Sequence, residues 1–178
     1  MTRGIQAGIL FGTLVVFLYL VNSNIMEAEN RIENGTPVYM ELAPVDPRSL
    51  IQGDYMRLDY ALERELQTAL GLRADTPPAE SRGQTVVRLG EDNVAQFVRV
   101  YEGAALAEDE LLINYRLAGS DVRVGVDSFF FQEGLADDYA DAEYADVRVT
   151  PGGGVMLIDL VGDEFQSLVD AQAEDQVG

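Results

Sequence analysis

Four residue types are missing from this chain of 178 residues: lysine, histidine, cysteine and tryptophan. Without histidine or lysine it cannot build a Ser-His-Asp triad or a Ser-Lys dyad, and without cysteine it has no thiol nucleophile, disulfide or thiolate metal site. Because zinc and copper lose their usual ligands, any bound metal would have to be a hard cation such as calcium or magnesium. The chemistry that remains is that of carboxylates, hydroxyls and arginine, and we expect no cofactor.

Positive charge is also scarce. The 12 cationic side chains, all of them arginine, are outnumbered by 31 aspartates and glutamates, and the formal net charge is −19. Such a charge repels nucleic acid phosphates and anionic lipid head groups, so we expect no nucleic acid partner. The hydrophobic fraction of 47% is in the globular range, and the chain length suits one folded domain.

Charge is absent altogether from one N-terminal stretch. Ile5 to Val21 reads IQAGILFGTLVVFLYLV, in which eleven residues are Leu, Ile, Phe or Val. At about 1.5 Å per residue the run approaches the ~30 Å thickness of a hydrocarbon core. We predict an uncleaved transmembrane helix over residues 5–26. A cleaved signal peptide is the alternative, although no small-x-small cleavage pattern follows the run.

The charges on either side of this segment predict its direction. Arg3 and the free N-terminus precede it, whereas residues 27–36, a predicted stalk or linker, carry three glutamates and one arginine. The positive-inside tendency places residues 1–4 in the cytoplasm. The rest of the chain would then lie in the periplasm of a Gram-negative bacterium, and the protein would be a single-pass protein of the inner membrane.

The same segment carries a glycine stripe. Gly4, Gly8 and Gly12 are spaced by four and therefore share one helix face. This spacing lets two transmembrane helices approach closely, so the expected partners are the bilayer and either an integral membrane protein or a second copy of the chain. Glycines are also common in membrane helices in general, and that interpretation stays open.

Residues 37–163 predict a mainly β domain. Short alternating segments separated by turns such as Gly119-Ser120-Asp121 indicate hairpins, and hence a largely antiparallel sheet or open barrel. The spacing within Glu63 to Leu72 and within Glu133 to Glu143 predicts one or two short helices. Residues 164–178 are expected to be a polar, acidic, fraying tail. The predicted strands are 38–42, 55–62, 85–89, 94–101, 111–117, 122–126, 129–131, 145–149 and 155–160.

Three consecutive phenylalanines, Phe129 to Phe131, occupy one of these strands. The first and third lie on one face of a strand and the second on the other. Because both faces are then apolar, we expect a strand that is covered on both sides, in part by the helix that follows it. The alternative is that one face is free for a partner.

One segment carries a recognisable motif. Gly53 to Tyr60 reads GDYMRLDY, which fits G-D-Y-x-x-L-x-Y at every named position. The chain here resembles the bacterial GDYXXLXY family, and the resemblance continues through Val94 to Val100 and Val124 to Gly134. It implies a membrane-anchored protein of unassigned activity, of a kind often encoded near multi-spanning membrane proteins.

In physical terms the motif is a turn that leads into a strand. Its first two residues suit a turn, because glycine can take a positive φ and aspartate accepts backbone N–H bonds. Alternation then buries Met56, Leu58 and Tyr60 and makes Arg57 and Asp59 neighbours on the opposite face. A structural turn and a binding surface both fit this pattern. The candidate interaction residues are Asp46, Arg48, Gly53, Asp54, Tyr55, Arg57, Leu58 and Tyr60.

Carboxylates provide the alternatives to a purely structural or docking role. Asp46, Asp54 and Asp127 lie near the family segments, and two of them in one cleft could perform acid-base catalysis in an envelope hydrolase or glycan-processing enzyme. The acids between Glu133 and Glu143 could attract calcium, although they lack an alternating calcium-loop pattern. A calcium- or small-ligand-binding periplasmic domain is therefore a third possibility. No catalytic or metal-ligating residue is assigned.

The preferred hypothesis is a non-enzymatic interaction or assembly module. The apolar segment tethers it to the membrane, and the turn around Asp46 to Tyr55 docks to an integral membrane partner. It rests on the predicted anchor, on the glycine stripe and on the poverty of catalytic residue types.

Overall fold

A computed structural model describes residues 11–23, 34–43, 55–72, 79–119, 121–131, 134–135 and 138–168. The chain divides into two units, Met1–Gly35 and Thr36–Gly178. In the second unit the strands are β1 (Thr36–Glu41), β2 (Tyr55–Arg57), β3 (Ala79–Leu89), β4 (Ala95–Val100), β5 (Glu110–Gly119), β6 (Asp121–Val124), β7 (Ser128–Phe130), β8 (Tyr144–Val149) and β9 (Val155–Val161).

Helix α1, residues 11–23, belongs to the first unit. Its apolar side chains are exposed at consecutive positions and therefore lie all around the helix. Within the described residues, no helix is both long and apolar enough to cross a membrane. At Gly12, the space that a Cβ atom would occupy is open, with no heavy atom within 4 Å. Gly4, Gly8 and the remainder of the predicted span lie outside the described residues. The exposed residues are Phe11, Leu14, Val15, Val16, Phe17, Leu18, Tyr19, Leu20 and Val21.

The second unit is mainly β, as predicted, and its paired strands are antiparallel wherever named strands meet in the described residues. The strands form three sheets, with the orders β4-β3-β5-β6, β1-β8-β9 and β2-β7. The predicted hairpins β3–β4, β5–β6 and β8–β9 are confirmed. An isolated parallel bridge between Tyr39 and Val94 connects the first two sheets.

Apolar faces of the strands meet in one core. The alternation is clearest in β8, where Ala145, Val147 and Val149 are buried and the residues between them are partly exposed. Such a period of two fixes the register, because a slip by one residue would turn the apolar set outward. The core also contains the motif side chains Met56, Leu58 and Tyr60, at 3%, 1% and 1% exposure. The predicted buried face of the motif is confirmed.

The motif strand is shorter than predicted. It ends at Arg57 instead of residue 62, and helix α2 (Ala61–Ala69) replaces both its end and the helix expected over 63–72. Tyr60 is the extended residue before α2, and Leu62 and Leu66 then face the core one helical turn apart. The helical spacing therefore begins inside the apparent strand.

Two further expectations are wrong in part. A short 3₁₀ helix, Asp138–Asp141, places Tyr139 against Phe129 and Phe131, with ring centroids 4.9 and 5.6 Å away, but Phe130 on the other face of β7 is 74% exposed. The strand is thus covered on one side. The tail expected from residue 164 also begins with packed residues, because the Phe165 ring lies 4.4 Å from that of Tyr39.

Candidate functional site

Three arginines face one another across neighbouring strands. Arg82 on β3 is opposite Arg116 on β5, which is in turn opposite Arg123 on β6. Directly opposed side chains in an antiparallel sheet have Cβ atoms about 4.5–5.5 Å apart, and like charges at that distance repel each other. This arginine row therefore concentrates positive charge within a chain whose net charge is −19.

The arginine row borders an open cleft of about 740 Å³, here called the arginine cleft. This volume lies within the range of about 300–1,000 Å³ that small-molecule sites occupy. Neutral polar groups complete its lining, and they come from the same sheet and from the end of β4. They are the phenols of Tyr101 and Tyr115 and the carboxamides of Gln84 and Asn114.

Gly83 leaves space for the ring of Tyr115 to lie over the backbone of β3. Gly83 is the register partner of Tyr115, and a Cβ at Gly83 would overlap the phenol ring. The ring is 9% exposed and forms part of the cleft wall. Any larger residue at position 83 would therefore displace the ring and change the shape of the cleft.

Carboxylates hold two members of the row. Arg116 forms an ion pair with Asp127, and the Nη1 atom of Arg123 lies 2.7 Å from Oδ1 of Asp59. Arg82 has no carboxylate within 4.0 Å in the described part of the chain. Carboxylates thus position Arg116 and Arg123 and compensate their positive charge. The charge of Arg82 has no such compensation in the described residues.

The motif and helix α2 position Arg123. Asp59 precedes the last motif tyrosine, and Glu63 in the first turn of α2 lies 3.7 Å from the same Nη1 atom of Arg123. Glu63 also accepts a hydrogen bond of 2.8 Å from the backbone nitrogen of Val124 on β6. Asp59, Glu63 and Arg123 also line a smaller hollow of about 250 Å³.

Motif residues also hold the connection from β6 to β7. The hydroxyl of Tyr60 donates to the carbonyl of Val126 over 3.2 Å, and the backbone nitrogen of Leu58 donates to the carbonyl of Asp127 over 3.0 Å. Asp127 is the partner of Arg116, and its Oδ1 atom is buried without a hydrogen bond from any described residue. Motif residues therefore hold the segment that follows β6, of which Gly125 lines the arginine cleft.

Burial perturbs Glu63 and Tyr60, two titratable groups that line the smaller hollow with Arg123. It raises the pKa of Glu63 from 4.5 to about 7, and the hydrogen bond from Val124 and the charge of Arg123 offset only part of this effect. Burial, followed by the charge of Glu63, also raises the pKa of Tyr60 above its usual range. Glu63 consequently holds a proton for much of the time near neutral pH.

The predicted interaction residues have different outcomes. Asp46, Arg48, Gly53 and Asp54 lie outside the described residues. Of the other four, Leu58 and Tyr60 are core side chains, and Arg57 has its Nε atom 3.8 Å from Asp59, so the predicted neighbour relation of Arg57 and Asp59 is confirmed. Tyr55 is half-buried, and its ring lies 5.7 Å from that of Phe130.

The predicted acidic sites are only partly within the described chain. Of Asp46, Asp54 and Asp127, only Asp127 is described, so a catalytic pair among them stays a prediction. Within the residues that the structure describes, no group of three or more carboxylates is arranged as a metal site. Glu133 and Asp137, two of the acids considered for calcium, lie outside those residues.

The arginine row and Glu63 were not predicted. The sequence does contain a signal for half of the row, because counting outward from the turn at Gly119 pairs residue 116 with residue 123. Arg82 has no such signal, since β3 and β5 are separated in sequence by β4 and their pairing is not a hairpin.

The comparisons with known proteins agree with the motif. Residues 17–160 match a family model described as GDYXXLXY protein, which is more than half of the chain. The chain belongs to the GDYXXLXY family. In this member, Leu58 and Tyr60 of the family motif are buried, and Tyr55 is half-buried beside Phe130. No curated protein and no solved structure matches the chain.

Proposed function

We propose that this chain is a non-enzymatic, membrane-tethered interaction or assembly module whose β domain docks to an integral membrane partner. The observation that carries the proposal is the aromatic side chain presented beside the family motif: Phe130 is 74% exposed and lies next to Tyr55. Exposed aromatic residues on a rigid support are frequent anchors of protein interfaces.

The support beneath Phe130 is well ordered by packing. Tyr55 and Phe130 are register partners on β2 and β7, so the third residue of the family motif lies directly beside the exposed ring. On the opposite face Phe129 packs edge-on against Tyr139 at 4.9 Å. The strand is thereby held from behind while Phe130 faces solvent, an arrangement that suits docking through the motif turn.

The tether in this proposal is the apolar N-terminal segment. Its uncharged run from Ile5 to Val21 overlaps α1, whose aliphatic and aromatic side chains are exposed around the helix. Side chains of this kind are stable in a lipid environment and unfavourable in water. The bilayer is then the first partner, with the N-terminus in the cytoplasm and the β domain in the periplasm. The glycine stripe would allow this helix to pack closely against the helix of a second copy or of an integral membrane partner.

Arginine substitutions within the segment test the tether. Each arginine near the centre of a spanning helix costs about 2.5–3.5 kcal/mol on insertion scales, and much less near its end. We expect the wild type to stay in the membrane pellet after alkaline carbonate extraction and the double variant Val15→Arg with Leu18→Arg to become extractable. The matched control, Asn22→Arg with Ser23→Arg, should stay in the pellet. Extraction of the wild type by carbonate would contradict the tether.

Photocrosslinking from the proposed docking face tests the partner. We would place p-benzoylphenylalanine at Phe130 in the full chain, expressed in its native membrane, and compare it with the same substitution at Leu106, which is 40% exposed. The expected result is one discrete crosslinked band from position 130 that contains a multi-spanning membrane protein, and no such band from position 106. Equal crosslinking from both positions, or none from position 130, would contradict docking through this face.

A further inference from the structure

We propose that the arginine cleft binds a small anionic ligand through a carboxylate or phosphate group. The ligand would lie against the arginine row, with Arg82 as its principal charged contact. This site is separate from the docking face around Phe130, and it does not depend on the docking proposal.

The charge at the cleft is the first reason. Opposed arginines on three adjacent strands repel one another, and such an arrangement is unfavourable unless counter-charges are present. Asp127 and Asp59 supply these for Arg116 and Arg123, but the described chain offers none to Arg82. An anion in the cleft would provide the missing counter-charge.

The motif side of the cleft does not cancel this charge. Glu63 is the second carboxylate near Arg123, at 3.7 Å, and burial raises its pKa to about 7. Near neutral pH it is therefore only partly ionised. Arg123 also has Asp59 at 2.7 Å and Asp121 at 4.0 Å, and Arg116 has Asp127, so within the described chain the uncompensated positive charge of the row lies at Arg82.

The shape of the donors is the second reason. A guanidinium group presents a planar fork of N–H donors that matches two oxygens of a carboxylate or phosphate. Beside Arg82, the phenol of Tyr115 has no hydrogen-bond partner among the described residues, so its hydroxyl is available to a ligand. The carboxamides of Gln84 and Asn114 are already tied to each other, 3.0 Å apart, and to the Gly152 carbonyl, and so form a fixed wall.

The remaining surface selects for a small ligand. A net charge of −19 repels a polyanion or an anionic membrane over its whole area. A small anion is different, because charges beyond about 8 Å are screened at physiological ionic strength and only the local arginine row acts on it. The cleft volume of about 740 Å³ suits such a molecule.

Binding of defined anions to the full chain in detergent tests the proposal. The probes are inorganic phosphate, glucose 6-phosphate and glucuronate, with glucose and sodium chloride as uncharged and ionic-strength controls. We expect at least one of the three anions to raise the unfolding temperature saturably and to give a measurable Kd by calorimetry, whereas the controls do not. A response to glucuronate alone would identify a carboxylate ligand, and a response to the phosphates alone would identify a phosphate ligand.

Variants at two arginines of β3 connect that binding to the cleft. Arg82→Gln should weaken the Kd about tenfold or more, the size expected for the loss of one charge-assisted hydrogen bond, and Arg82→Lys should retain part of the affinity. Arg88→Gln removes the same charge from an exposed arginine outside the cleft lining and should leave the Kd within about twofold of the wild type. Equal affinity in Arg82→Gln and the wild type, or no saturable response to any anion, would overturn the proposal. Neither result would affect the crosslinking test at Phe130.

Discussion

Glu63 and Glu110 are both buried glutamates beside an arginine, yet the protein moves their pKa values in opposite directions. Glu110 receives hydrogen bonds of 2.7 and 3.0 Å from the two terminal nitrogens of Arg99, and its pKa is lowered to about 2, chiefly by these bonds. For Glu63, burial raises the pKa to about 7. The two residues are 8% exposed alike.

The difference lies in where the arginine donors are directed. Arg99 gives its whole fork to one carboxylate, which also accepts from the backbone nitrogen of Ala107 at 3.1 Å. Arg123 instead directs Nη1 at Asp59, 2.7 Å away, and that atom lies 3.7 Å from Glu63. Glu63 does accept a hydrogen bond from the Val124 nitrogen, but without an arginine fork bound to the carboxylate the effect of burial on the pKa is the larger one. The motif side of the domain has a protonatable carboxyl group, and the β4–β5 side has a permanent anion.

The largest change in the free energy of unfolding should come from substituting Tyr60, the fully buried motif residue next to the smaller hollow that Glu63 also lines. Tyr60→Ala should destabilise the domain by about 3–5 kcal/mol, because it leaves a large cavity. Tyr60→Phe keeps the ring and loses only the bond to Val126, so it should cost about 0.5–1.5 kcal/mol. Urea unfolding of the full chain in detergent measures both. Equal losses in the two variants would show that the hydroxyl, and not the ring, determines stability here.

An intermediate effect is expected from the proton on Glu63. Between pH 4.5 and about 7 the folded state holds a proton that the unfolded state has released, so this group lowers stability as the pH rises through that window, by at most about 3 kcal/mol. Glu63→Gln should remove this part of the pH dependence, whereas Glu65→Gln, on the exposed face of α2, should not. Unfolding free energies measured from pH 4 to 8 check the difference. Parallel curves for Glu63→Gln and the wild type would contradict the raised pKa.

Glu110 should have the opposite effect on the curve of stability against pH, in its acid part. Its folded pKa is lower than its ordinary value, so its stabilising effect is present above pH 4.5 and is lost as the pH falls towards about 2. Glu110→Gln should therefore flatten the acid limb and leave the limb between pH 4.5 and 7 unchanged. A change in the neutral limb would mean that the two glutamates are coupled.

The smallest effect should follow from Arg88→Gln. Arg88 lies 2.9 Å from Asp109, but both side chains are about half exposed, and such surface pairs contribute about 0–1 kcal/mol. Arg99 alone keeps both of its hydrogen bonds to Glu110, so the acid limb should keep its midpoint. Acid unfolding followed by circular dichroism measures this. A shifted midpoint would show that Arg88, 3.8 Å from Glu110, helps to lower its pKa.

Local patterns in the sequence were sufficient for most of the fold. Alternation predicted the core face of the motif, and turns predicted the hairpins, since both depend on residues close together in the chain. The alternation was read too far after Arg57, because Leu58 and Tyr60 fit a strand as well as the entry to a helix. In the structure the strand ends at Arg57 and helix α2 already begins at Ala61.

The candidate sites depended on pairings between distant segments. Phe130 was expected to be covered, and nothing in the local pattern shows that β7 pairs with the short strand β2 and leaves one face open. The contact of Glu63 with β6 joins residues 61 positions apart, and Arg82 meets its neighbour through a non-hairpin pairing. These relations require the three-dimensional register.

The hairpin between β5 and β6 has a consequence for how this site could vary. Arg116 and Arg123 share a face only because the connection after Gly119 has its present length. One added or deleted residue would rotate every following side chain of β6, so that Arg123 would point into the core and Val122 and Val124 would point outward. The number of residues in this turn therefore sets the site, and Gly119, whose φ of 71° favours glycine, is the turn residue least free to change.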